Sequence, residues 1–150
     1  MSANEGSMRL SLHKGGILPD ELGDKGMHEM KYALLPHEGG FGAENVVQPA
    51  YAFNNPPMLV AGEAAEASLV AVSTADVVIE TVKPCEDAQK AYIIRLYEAT
   101  GGYTNCSLTF GHEVKGLVQT NMLEDEQAVL DPAAALTFRP FEIKTLKIYY

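Results

Sequence analysis

Val77-Val78-Ile79-Glu80-Thr81-Val82 and Tyr92-Ile93-Ile94-Arg95-Leu96-Tyr97-Glu98 are dense in β-branched and aromatic residues. Such side chains fit a pleated, half-buried surface and lose rotamer freedom in a helix. In the second stretch Tyr92, Ile94 and Leu96 fall on one face, the period of a strand. Working outward, Ser68 to Val72 reads as a strand joined to Val77 through Ser73 to Asp76. Thr100-Gly101-Gly102 reads as a hairpin leading to a strand from Asn105 to Phe110. Weaker strands are expected at Leu117 to Asn121, Leu136 to Arg139 and Ile143 to Tyr149.

Upstream the signal changes. Met8, Leu10 and Leu12 alternate with polar neighbours, and so do Met30, Tyr32 and Leu34, predicting two more strands. One short helix is expected near 43–53, broken by Pro49, which lacks a backbone donor, and stopped at Asn54-Asn55-Pro56-Pro57. About eight or nine short strands punctuated by turn residues predict an all-β fold, mainly an antiparallel β-sandwich. Residues 1–7 read as a polar N-terminal segment or an expression scar, and 8–150 as one β-sandwich domain.

Composition excludes several functions. A formal charge of -9 repels nucleic-acid phosphates and anionic membrane surfaces, so neither is expected as a partner. No apolar run approaches the length of a membrane helix. Two cysteines, Cys85 and Cys106, make no disulfide scaffold and suit a cytoplasmic protein.

Chemistry-bearing motifs are missing. His28-Glu29, His37-Glu38 and His112-Glu113 each begin like a zinc-protease helix, but the second histidine is replaced by Tyr32, Phe41 and Gly116. No serine has the glycines of a nucleophile elbow, and Gly39-Gly40-Phe41-Gly42 lacks the lysine of a phosphate loop. Twenty acidic residues could supply a glycosidase pair, yet no spacing selects two of them. The expectation is therefore no catalytic residue and no metal ligand set in this chain.

A resemblance to a known family runs through several segments in order. They are Gly6-Ser7-Met8-Arg9-Leu10-Ser11-Leu12; Asp24-Lys25-Gly26-Met27-His28-Glu29-Met30-Lys31-Tyr32-Ala33-Leu34-Leu35-Pro36-His37; and Ala75-Asp76-Val77-Val78-Ile79-Glu80-Thr81-Val82-Lys83 with Glu86-Asp87 behind it. Ile94-Arg95-Leu96-Tyr97-Glu98-Ala99 and Arg139-Pro140-Phe141-Glu142-Ile143-Lys144-Thr145-Leu146 complete the set. Together they resemble the C-terminal β-domain of bacterial-type glycoside hydrolase family 38 α-mannosidases.

The resemblance implies a retaining hydrolase of terminal α-linked mannose. Its zinc ion and aspartate nucleophile would lie in an N-terminal catalytic domain, the partner of this accessory slab. The fragment alone is then expected to be inactive. It further implies that the loop from Lys14 to Gly26 leans toward that catalytic domain. Asp24 and Lys25 stand where relatives use a basic residue to hold sugar hydroxyls; the same pair also reads as plain charges flanking a glycine turn. Phe41, Val46, Val47, Phe53 and Met58 are expected on an apolar surface that would favour a homo-oligomer. The competing readings are an independent carbohydrate-binding module, against which the lack of tryptophan argues, and a structural interaction module.

Overall fold

A computed structural model describes residues 2–16, 18–63 and 67–150; Met1 of the polar lead-in and residue 17 of the 14–26 loop lie outside them. The chain divides into two compact units, 1–36 and 37–150.

In the first unit β1 (Ser2–Asn4) and β2 (Ser7–Arg9) form an antiparallel hairpin. Glu5 and Gly6 turn it at φ 49 and φ 78, the paired positive angles that match the twist of tight hairpins. Two expectations fail here. The strand from Met8 to Leu12 shrinks to Ser7–Arg9, and Met30, Tyr32 and Leu34 form no strand, although they alternate as one. Alternation marks a strand only where a sheet receives its apolar face; Tyr32 and Leu34 are exposed instead.

The second unit opens with a π-helical turn, Ala43–Val47, running into α1 (Gln48–Asn54). The expected short helix is present, and Pro49 sits in its first turn, where a missing N–H costs least. Gln48 N–H donates to Ala43 O, the wide spacing that accommodates the change of winding.

Nine strands follow among the described residues: β3 (Val70–Val72), β4 (Val77–Pro84), β5 (Ala91–Glu98), β6 (Thr104–Cys106), β7 (Leu108–Phe110), β8 (Gly116–Thr120), β9 (Glu126–Leu130), β10 (Leu136–Phe138) and β11 (Ile143–Tyr149). One antiparallel sheet has the order β4-β5-β11-β8-β9. Two antiparallel pairs, β3 with β7 and β6 with β10, supply the opposing layer. The all-β sandwich read from the sequence is the fold observed.

Its core joins the layers. Tyr92, Ile94 and Leu96 of β5, Leu117 of β8, and Leu146 and Ile148 of β11 pack with Cys106, Leu108, Leu136 and Phe138. The expected strand from Asn105 to Phe110 is interrupted at Ser107. There the chain changes partner, from β10 to β3, while Ser107 and Ser73 exchange hydrogen bonds at 2.9 and 3.0 Å. Strand β9 escaped the sequence reading because it is an outer strand, exposed along nearly its whole length, with no apolar alternation. At the other edge β4 bulges between Ile79 and Thr81, and Tyr51 of α1 donates to Glu80 O at 3.1 Å. Bulging and covering are two ways in which an open sheet edge is kept from recruiting another strand.

One end of the sandwich closes on a buried carboxylate. Glu98 has no exposed surface and accepts from Thr100 N–H and Gly101 N–H, each at 2.8 Å, from the Thr100 hydroxyl, and from Phe141 N–H at 2.9 Å. Burial alone would raise its pKa, but these donors hold the carboxyl down at about 2. A depressed pKa contributes stability that is complete above the ordinary carboxylate range and is lost as pH falls toward 2. Replacing Glu98 with Ala strands four donors and is expected to cost about 3 kcal/mol in urea denaturation at pH 7. The wild-type advantage should shrink steadily between pH 5 and pH 2 in the same assay, whereas a pH-independent difference under 1 kcal/mol would refute the clamp (estimates on the order expected of buried ionic groups).

Candidate functional site

The outer face of the five-stranded sheet carries a polar network. Alternation along β11 turns Lys147 to the side opposite the core residues Leu146 and Ile148. Its Cα lies across from Ile93 on β5 and Val118 on β8, both buried. The Lys147 side chain is only 2% exposed, so its ammonium must find charge partners at the ends of the hairpins.

It finds Asp87 at 3.1 Å and Glu126 at 3.7 Å. Asp87 belongs to the β4–β5 loop, whose Cys85 donates its thiol to Asp87 at 2.9 Å and to Glu124 at 3.1 Å. Glu124, in the β8–β9 turn at φ 71, is buried and paired with Lys83. It also accepts from Glu86 N–H at 3.0 Å. Tyr149 closes the row by donating to Glu126 at 2.6 Å.

Proton affinities follow from these contacts. The Lys83 hydrogen bond, helped by Glu86 N–H against burial, holds the Glu124 carboxyl at about 2. Burial pulls Lys147 down, but its bond to Asp87 and the surrounding negative charge outweigh that and leave it raised. Burial pushes the Cys85 thiol up, and its two carboxylate acceptors push further. Cys85 is thus a protonated donor rather than a nucleophile.

Cys85, Asp87 and Glu124 bring three metal-ligand atoms within 4.8 Å of one another. They do not fit a divalent cation. Glu124 is neutralised by Lys83 and Asp87 by Lys147, and a metal would have to displace both ammoniums, one of them buried. The network is a structural seal between two hairpins and the sheet. No spacing rule could have found it, because Lys83, Asp87, Glu124 and Lys147 meet only when three loops and strands assemble.

Beside this seal runs an apolar groove of about 610 Å³, lined by Leu69, Val82, Pro84, Tyr92, His112 and Tyr150 among others. Burial lifts the Tyr92 phenol to about 12, so it stays neutral, 3.5 Å from the His112 ring nitrogen. Asp24 and Lys25 belong to the first unit, on an exposed turn. Lys25 N–H donates to Leu22 O at 3.2 Å, Asp24 adopts φ 61, and its carbonyl meets the His28 ring at 2.8 Å. The structure thus places the two side by side on that turn. Of the expected apolar surface, Phe41, Phe53 and Met58 are exposed, while Val46 and Val47 are half-buried. No helix among the described residues is long and apolar enough to cross a membrane.

Comparison with known proteins adds a second line of evidence. Residues 76–146 match the family described as "Glycosyl hydrolases family 38 C-terminal beta sandwich domain". Across 93% of the chain, the sequence is 35% identical to "Alpha-mannosidase 2C1" of Homo sapiens and 33% identical to that of Mus musculus, in each case spanning 14% of the relative. "Alpha-mannosidase" of Saccharomyces cerevisiae is 25% identical over 95% of the chain and 16% of its own length. The matched family segment runs from the residue before β4 to the middle of β11; it takes in Lys83, Asp87, Glu124 and Glu126 of the polar seal and stops one residue short of Lys147.

The seal makes a signed prediction for thiol chemistry at pH 8. Glu124→Gln removes an acceptor that raises the Cys85 pKa and should speed its alkylation several-fold; Lys147→Met removes a cation that lowers it and should slow the reaction (an order-of-magnitude expectation from thiolate control). Mass spectrometry distinguishes Cys85 from the fully buried Cys106, which should stay unmodified in the folded protein. Equal acceleration in both variants would mean that the loops merely open.

Proposed function

The chain belongs to glycoside hydrolase family 38, through its C-terminal β-sandwich domain, and from that premise we propose that it braces the catalytic part of an α-mannosidase. Catalysis in this reading belongs to a separate domain, which uses zinc and an aspartate nucleophile to release terminal α-linked mannose with retention of configuration. This domain contributes rigidity and a packing surface. The supporting observation is internal: the buried carboxylates Glu98 and Glu124 are both taken up by donors of the domain itself. A glycosidase pair needs one carboxyl free to give up a proton and another free to attack. Neither group is.

Exposed Met8, Leu10, Leu12, Tyr32 and Leu34 of the first unit supply apolar surface for the partner domain. Lys25 and Asp24 stand on a polar turn in the same unit, and we assign them to the rim that meets the sugar. The two free thiols accord with a reducing, cytoplasmic setting. Where the partner domain is missing, the surface of Phe41, Val46, Val47, Phe53 and Met58 would favour self-association.

Three measurements test this. The complete reading frame should hydrolyse an aryl α-mannoside and lose the activity on chelation, while the purified 150-residue chain should release none. Mannose release by the short chain at an enzymatic rate would end the accessory reading. In the complete enzyme Lys25→Ala should lower kcat/KM about tenfold, the scale of one lost polar contact to substrate; an unchanged value removes Lys25 from the rim.

A further inference from the structure

The turn entering β11 is built against its own backbone preference. Glu142 N–H donates to Arg139 O at 3.0 Å, with Pro140 second in the turn and Phe141 third at φ 56. That third position, with positive φ after a proline, is where glycine or asparagine is favoured, because a Cβ crowds the backbone there. A phenylalanine is strained at such a place.

The surroundings hold it there. Phe141 N–H is fixed by the buried Glu98 carboxylate at 2.9 Å, and Arg139 N–H by Glu142 Oε2 at 2.8 Å. The ring tip rests on Gly101, at φ 84, so closely that a Cβ on that glycine would lie 2.8 Å from the Phe141 Cζ. Two backbone positions are therefore adapted to one aromatic ring. Yet the residue remains 68% exposed.

The turn has further chemistry. Arg139 Nη2 lies 3.4 Å from Glu142 Oε1, and Lys144 Nζ lies 3.3 Å from the same oxygen. Tyr103, two residues beyond Gly101, is also exposed.

We propose that Phe141 is a stacking platform for a pyranose ring, flanked by Arg139 and Glu142, and forms an accessory saccharide site on the sandwich. The C–H face of a pyranose is apolar and packs on an aromatic ring, while its edge hydroxyls need donors and acceptors. The forked guanidinium of Arg139, largely exposed in the same turn, supplies donors to those hydroxyls, and Glu142 holds it in place. One rigid ring is far smaller than the roughly 800 Å² that each partner buries in a stable protein interface, but it matches a single sugar. The choice of mannose rests on the function proposed above; the platform itself does not.

The experiment titrates the 150-residue chain with methyl α-mannoside and an α-linked mannobiose, followed by backbone amide resonances. Saturable shifts at millimolar sugar are expected at Gly101, Phe141 and Glu142. Phe141→Gly is the decisive variant, because glycine suits the turn: Tm should hold or rise by a few degrees while the shifts disappear, and Phe141→Tyr should retain them. Absence of saturable shifts, shifts that persist in Phe141→Gly, or a lowered Tm in that variant would each overturn the proposal, the last by making the ring structural. Binding is read here without hydrolysis, so failure of mannosidase activity in the complete enzyme would leave this result standing, and the reverse.

Discussion

Antiparallel pairing of β5 with β11 constrains everything else in the sandwich. From Ile143 opposite Tyr97 to Tyr149 opposite Ala91, the register is unbroken. It puts Tyr92, Ile94, Leu96, Leu146 and Ile148 together on one face and Ile93 with Lys147 on the other. A slip of one residue would send every one of these side chains to the wrong side. Because β5 and β11 are central, β4, β8 and β9 inherit their positions from them, and the second layer has one apolar surface on which to close.

The other face creates the problem that the polar seal solves. A lysine at the centre of a sheet and nearly without exposure is costly unless it is paired. Asp87 and Glu126 come to it from hairpins on opposite sides, and Lys83 with Glu124 ties those hairpins together. Raised lysine affinities and depressed carboxylate affinities give this seal its full strength between the acid and alkaline extremes. Stability from Glu124 fades as pH falls toward 2, and stability from Lys147 fades as pH rises past its raised value.

Much of the fold was legible because the strands around the core announce themselves. Val77 to Val82, Tyr92 to Glu98 and Ile143 to Tyr149 carry β-branched and apolar residues that a sheet buries, and each forms a strand. The failures share one cause. Met30, Tyr32 and Leu34 have the pattern but no partner strand, whereas Glu126 to Leu130 has a partner strand and no pattern. Hydrogen bonding to a neighbour makes a strand, and composition reports that neighbour only when burial accompanies it.

Local sequence therefore determined the class of fold, the short helix that carries Pro49, the lack of a linear catalytic motif and, through ordered segments spread along the chain, the resemblance to family 38. It could not supply the seal, the Glu98 clamp or the strained Phe141. Lys147 and Asp87 are far apart in the chain and meet at 3.1 Å; Glu98 and Phe141 are similarly remote and meet at 2.9 Å. Contacts of that kind depend on register and on the closing of loops, so only tertiary structure decides which of many charges is buried and which of many aromatic rings is held out to solvent.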